Sequence, residues 1–142
     1  MSRRRRTTIS GTFLITSVAH DRRRIFRVDA TARLFLETLQ RYRTQGLYKL
    51  HAFVVMPDHI HLLLTTENLP KAMKHIRGGF SYHLASKLEV WQPDYDDRQI
   101  FSEKDYLNAR DYIHQNPVRA RLVVNAEDFP YSSAFRAKDP EV

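Results

Sequence analysis

The segment VVMPDHIHLLLT, residues 54–65, is an apolar run broken by two histidines one residue apart, His59 and His61. Side chains two apart on a strand share a face. The two imidazoles therefore project side by side, with Leu63 continuing their face and Ile60, Leu62 and Leu64 turned the other way. Two adjacent imidazoles make half of a divalent metal site. They also match two ordinary histidines on a half-exposed strand, and spacing alone leaves both readings open. His51, alone in the same hairpin, needs no metal to explain it. Zinc sites draw on more His or Cys, and this chain has no cysteine. A histidine pair completed by oxygen ligands suits Mg²⁺ or Mn²⁺ better.

Oxygen donors stand further along, in YIHQN. Tyr112 and Asn116 are four apart, hence neighbours on one helix face. His114 points to the opposite side. A tyrosine followed one turn later by an amide is a weak signal alone, because most buried tyrosines simply pack with the hydroxyl bonded.

The elements that must hold these residues follow from periodicity. TFLITSVAH (12–20) reads as a strand, followed by a basic loop with Arg22, Arg23 and Arg24. DATARLFLETLQRYRTQG (29–46) reads as a helix, with Asp29 capping its first turn, Gly46 at its exit, and Ala32, Phe35, Leu36, Leu39 and Tyr42 on one face. YKLHAFVVM (48–56) and HIHLLLTT (59–66) form a hairpin around Pro57-Asp58, with Asp58 as a turn residue or, alternatively, as a polar neighbour of the histidines. A second helix starts near Pro70, with Met73, Ile76, Phe80, Leu84 and Leu88 as its apolar stripe. Gly78-Gly79 inside it costs roughly 1 kcal/mol per glycine relative to alanine, which points to close packing or a kink, with approach of a DNA backbone as the lesser alternative. VWQPDYDDRQIF (90–101) holds a turn and a short strand. SEKDYLNARDYIHQN (102–116) is a third helix, capped by Ser102 and ended by Pro117. Strand, helix, strand, strand, helix, strand, then an added helix predicts an α+β fold. Its antiparallel sheet, flanked by helices, is of the ferredoxin-like type.

The bulk numbers agree with a single domain. The chain has 142 residues and is 42% apolar, which supports one real core. Its 23 Lys and Arg against 16 Asp and Glu give a net charge of +7, favouring anionic partners, with nucleic acid first. MSRRRRTTIS (1–10) reads as a basic arm ahead of a domain spanning 11–142. The mixed segment after it is too short and polar for a secretory leader. No stretch has the length of a membrane helix, and the lack of cysteine is compatible with the cytoplasm.

HAFVVMPDHIHLLLT, IRGGFSYHLASKL, VWQ, DYIHQNPVRARLV and DFPYSSA occur in that order. Together they resemble the single-tyrosine HUH transposases, meaning the insertion-sequence-200-like type and especially the REP-associated tyrosine transposases. The likeness runs over about residues 10–135. It implies the histidines on a central strand of an antiparallel sheet and the nucleophile on a later, added catalytic helix. Carried over residue by residue, His59 and His61 would bind the metal, Tyr112 would be the nucleophile and Asn116 would complete the metal site. Many relatives have Gly where this chain has Arg121, and a Trp is common where Tyr131 stands.

The implied reaction is cleavage and transfer of single-stranded DNA beside a hairpin. Tyr112 would take the 5′ phosphate and free a 3′ hydroxyl. A neutral phenol is a poor nucleophile, and a cation polarising the phosphate would help it. Arg3 to Arg6, Arg22 to Arg24, Arg119 and Arg121 are candidate phosphate contacts. Dimers with shared active sites occur in the broad family, so a homodimer is one implied assembly. The competing reading is a non-catalytic nucleic-acid-binding module on the same frame. A hydrolase using water would not need Tyr112.

Overall fold

The computed structural model describes residues 9–138. The expected basic arm, with Arg3 to Arg6, lies outside the described residues apart from Ile9 and Ser10. The elements are β1 (Gly11–Val18), α1 (Asp29–Thr44), β2 (Lys49–Val55), β3 (His59–Thr66), α2 (Leu69–Leu84), β4 (Asp96–Ile100), α3 (Glu103–Arg119) and the short α4 (Ser133–Lys138). The sheet order is β2-β3-β1-β4, with every neighbouring pair antiparallel. This is the expected ferredoxin-like α+β arrangement, with α3 added.

Alternation along the strands sends side chains to two separate cores. Phe13, Ile15, Ile60, Leu62 and Leu64 face α1 and α2, where they meet Phe35, Leu39, Met73, Ile76 and Phe80. Leu63, Val54, Ala52 and Ile100 face the other way, onto Ala109 and Ile113 of α3 and onto Phe129. The histidine face of β3 is therefore the α3 face. His51 is the extra residue at a register shift in β2, between Leu50 and Ala52. Its Nε2 lies 2.8 Å from Thr65 Oγ1, so it is satisfied without a metal.

The basic loop after β1 contains two 3₁₀ turns, His20–Arg22 and Ile25–Arg27. Phe26 anchors the loop. Its ring packs against Phe35, Phe80 and Trp91 with centroids 5.5–5.9 Å apart. Fixing Phe26 also fixes where the flanking arginines emerge.

Several local expectations change. Asp29 is the first residue of α1 and makes no capping bond. Its carboxylate accepts from Arg33 Nε at 2.8 Å and from the Tyr131 hydroxyl. α2 starts at Leu69 under an Asn68 cap that accepts from the Lys71 N–H at 3.1 Å, one residue before Pro70. It ends at Leu84, because Ala85 turns left-handed, and this leaves Leu88 beyond the helix and exposed. Ser102 caps α3 as expected, accepting from the Asp105 N–H at 3.1 Å.

Pro117 does not end α3, which runs to Arg119. Proline disfavours the helical conformation before it but does not forbid it. Here Pro117 is buried beside Ile113 against the sheet, and the chain beyond it stays bonded, with the Leu122 N–H donating to the Pro117 carbonyl at 2.9 Å. Packing outweighs the one missing helix bond.

Gly46 leaves α1 with φ +83°, as its position suggested. The two central glycines separate. A Cβ on Gly79 would lie 2.7 Å from the Tyr42 hydroxyl, whereas one on Gly78 would meet nothing within 4 Å. Close packing explains Gly79 alone.

The chain after α3 returns to the outer edge of β2. The Val55 N–H donates to the Tyr131 carbonyl at 2.8 Å, Val54 bridges Ser132, and the Phe53 N–H donates to Ser133 Oγ at 3.0 Å.

Candidate metal and nucleophile site

β3 and β1 set the two imidazoles. His59 and His61 project onto the α3 face with ring centroids 4.8 Å apart and planes at 78°. Each ring is held at Nδ1. His59 Nδ1 lies 2.6 Å from Asp58 Oδ1, and a carboxylate only accepts, so that nitrogen carries the hydrogen. His61 Nδ1 lies 2.9 Å from Thr16 Oγ1, which β1 places directly opposite. In each ring Nδ1 is engaged, which leaves Nε2 as the nitrogen to face a ligand. Such outer partners fix tautomer and orientation at metal sites.

The electrostatics agree. His61 is buried, and burial pushes its pKa down to about 3, with the neighbouring His59 adding to the shift. It is neutral at pH 7, as a ligand must be. Burial alone would raise Asp58, but the hydrogen bond and charge of His59, and then those of Arg22, hold its carboxyl below the ordinary 3.8. Arg22 Nη1 donates to Asp58 Oδ2 at 3.2 Å. Arg22 and Asp21 both take left-handed backbone, φ 51° and 55°, to deliver that guanidinium. Asp58 is therefore a polar neighbour of the histidines, the alternative its position offered, as well as a turn residue.

The donor set fits a hard divalent cation only with added oxygen. Among the described residues no group of three or more His, Cys, Asp or Glu side chains could hold a metal. Asn116 is half-buried on α3, one turn beyond Tyr112, and its side chain makes no hydrogen bond among the described residues. Mg²⁺ commonly takes few protein ligands and completes its shell with substrate phosphate and water. The imidazole pair supplies two such protein ligands, and Asn116 stands on the helix that carries Tyr112.

α3 brings Tyr112 to the histidines of its own chain. The Tyr112 ring meets the His61 ring edge-on, with centroids 5.3 Å apart. Arg119 lies 4.6 Å from the ring centroid and donates from Nη2 to the Tyr112 carbonyl at 2.8 Å. The tyrosine remains 44% exposed, enough for an incoming strand to reach it. His114, on the far side of α3 as expected, pairs instead with Ser133 Oγ at 2.8 Å.

The candidate phosphate contacts divide. Arg22 and Arg119 are drawn into the site. Arg23 is tied to the carbonyls of His20 and Glu89. Arg121 is exposed, with φ 61°, the conformation that favours glycine. Arg24 borders a cleft beside His59, with Arg27, Met56, Pro57, Asp58, Ala120 and Leu122. Sequence reading passed over Arg27 and Thr16. Thr16 has no local signal, because only the β1–β3 register places it.

Comparison with known proteins follows the same lines. The family described as Transposase IS200 like matches residues 10–116. Over 140 residues the chain is 26% identical to the REP-associated tyrosine transposase of Escherichia coli (strain K12), covering 96% of this chain and 84% of that one. It is 26% identical over 159 residues to a putative REP-associated tyrosine transposase of Haemophilus influenzae, covering 98% and 88%. Its fold matches a REP-associated tyrosine transposase solved bound to a REP hairpin with a TM-score of 0.85 at 27% identity, covering 96% of this chain and 84% of that one. A putative transposase from Deinococcus radiodurans R1 shares the fold at a TM-score of 0.57 and 23% identity, over 81% of this chain and 97% of its own.

Proposed function

The chain belongs to the IS200-like transposase family, and from that membership we propose that it cleaves and transfers single-stranded DNA through a covalent 5′-phosphotyrosine. The observation that carries the proposal is Tyr112 seated edge-on against His61 within one chain. A binding module would have no need to hold a half-exposed phenol against a neutral, buried imidazole.

In this reading the Tyr112 oxygen attacks the phosphorus of the scissile diester. A Tyr–O–P bond forms, the P–O3′ bond breaks, and the strand leaves with a 3′ hydroxyl. The ester keeps the energy of the original linkage, so a 3′ hydroxyl can later attack it and rejoin strands without ATP. His59 and His61, with Asn116, would hold Mg²⁺ or Mn²⁺, which supplies positive charge to the phosphate oxygens. Asp58 and Thr16 keep the imidazoles turned towards that position. Arg119 packs on the tyrosine ring, holds its backbone carbonyl, and adds positive charge near the nucleophile. The site closes within one chain, so a homodimer is compatible with the reaction and not required by it. Residues 11–142 act as one domain, with residues 1–10 as a basic arm that adds to phosphate binding.

Among the described residues no helix is long and apolar enough to cross a membrane. The similar structure bound to a REP hairpin supports hairpin-bearing DNA as the substrate here. The site is also suited to an unpaired backbone, because a tyrosine on a helix beside the histidines needs a phosphate it can approach from one side, and opening a duplex costs on the order of 1.4 kcal/mol per base-pair step in stacking. The test is incubation with hairpin-tailed single-stranded DNA and Mg²⁺, read by a covalent adduct on denaturing gels. Wild type should form the adduct, Tyr112→Phe should not, and the same site annealed into duplex should give little. An adduct in the Phe variant would remove Tyr112 as nucleophile. Equal cleavage of both DNA forms would refute the substrate claim.

A further inference from the structure

A second feature adjoins the site without belonging to its chemistry. A cleft of about 430 Å³ opens beside His59, between the β2–β3 turn, the 3₁₀ turn around Phe26 and the chain just past α3. Its walls differ in character. Arg24 and Arg27 stand on one side, both exposed, and neither guanidinium has a hydrogen bond or ion pair among the described residues. Pro57 and Leu122 give an apolar lining with Met56 buried behind it, and Leu122 is 44% exposed with no packing role to explain it. Asp58 is the one acid there, and its carboxylate is already engaged by His59 and Arg22. The cleft therefore offers two uncommitted positive charges and an apolar surface, one step from the imidazole pair.

We propose that this cleft is a nucleotide subsite: it receives the unpaired nucleotide adjoining the scissile phosphate, with the base on Leu122 and Pro57 and a phosphate on Arg24 and Arg27. The volume sits near the lower end of the range for small-ligand sites, which suits one nucleotide rather than a run of them. Phe26 holds the arginine-bearing turn rigidly on the core, so the positive charges are placed before DNA arrives. An apolar wall selects for a flat, unpaired base and carries little hydrogen-bond readout. The subsite therefore favours single strands over duplex and discriminates weakly among bases. The proposal rests on the strand-transfer reading for the identity of its ligand.

The experiment measures binding alone, in EDTA, so that no bond need be broken. Fluorescein-labelled hairpin DNA with unpaired flanks, taken from the DNA around the protein's own gene, is prepared with a single abasic site at each flank position in turn. For wild type, one position adjoining the cleavage point should weaken binding roughly tenfold when its base is removed, equivalent to about 1.4 kcal/mol. In Leu122→Ser the intact DNA should bind more weakly by a similar factor, and sensitivity to that abasic site should vanish. Arg24→Gln and Arg27→Gln should each lower the salt dependence of binding by about one counterion. All three side chains are at least partly exposed, and circular dichroism checks that the variants fold. Wild-type abasic sensitivity at every position in Leu122→Ser, or an unchanged salt slope in both arginine variants, overturns the subsite. Coupling at one position without any covalent adduct from wild type would sink strand transfer and leave the subsite standing. An adduct without coupling would do the reverse.

Discussion

Replacing Asp58 by Asn separates a role in orienting a ligand from a role in holding the fold together. The carboxylate accepts from His59 at 2.6 Å through one oxygen and from Arg22 at 3.2 Å through the other. An amide keeps the shape but has only one accepting oxygen. If that oxygen faces His59, the NH₂ group faces the Arg22 guanidinium; if it is flipped, the NH₂ group opposes the Nδ1–H. Losing such an outer partner typically costs 10- to 100-fold in metal affinity, which is about 1.4–2.7 kcal/mol. Stability should respond much less. The Arg22 side chain is 64% exposed, and an ion pair screened to that extent is worth about 0–1 kcal/mol. Calorimetric titration with Mn²⁺ should therefore show the affinity loss, while the free energy of urea unfolding without metal changes by less than about 1 kcal/mol. Unchanged Mn²⁺ affinity in Asp58→Asn, alongside lost binding in His59→Ala, would refute the orienting role. A fall in apo stability of about 3 kcal/mol or more would show a buried charge pair instead.

Three further outcomes are expected. EDTA, or Ala at either His59 or His61, should abolish adduct formation while hairpin binding persists; undiminished cleavage in the double Ala variant would remove the metal role. Gly78→Ala should stabilise the protein by about 0.8–1 kcal/mol through helix propensity. Gly79→Ala should instead destabilise it by about 1–2 kcal/mol, because its Cβ would meet Tyr42 at 2.7–3.1 Å; equal denaturation midpoints for the two variants would contradict the packing assignment. Arg121→Gly should raise stability by about 0.5–1 kcal/mol by relieving a left-handed residue, since glycine's greater freedom in the unfolded chain takes back part of the gain. A lowered thermal midpoint would count against it.

What was legible in the sequence was what repeats along one element. Period two gave β3 and the shared face of His59 and His61. Helical period and end signals gave α1, α2 and α3, and with them Tyr112 on a helix. What was hidden was settled between elements. Thr16 reaches His61 only through the β1–β3 register. Asp58 was open between a turn residue and a polar neighbour of the histidines, and its distant partner Arg22 is selected by where the loop after β1 lands. Pro117 looked like a helix stop because local propensity cannot register the packing that carries α3 past it. Of two identical neighbours, only Gly79 faces Tyr42, a fact about the α1–α2 contact and not about either helix.

The strap that closes the outer edge of β2 has a consequence for incomplete chains. Phe53, Val54 and Val55 form a short apolar strand whose outward backbone groups are engaged by residues 131–133, about eighty positions later in the chain. Until those residues are in place, β2 is a bare, hydrophobic edge of the kind that recruits other strands. A chain cut before Tyr131 would keep every residue of the candidate site and yet be sticky, so proteolytic nicking there should show first as aggregation and only secondarily as lost chemistry.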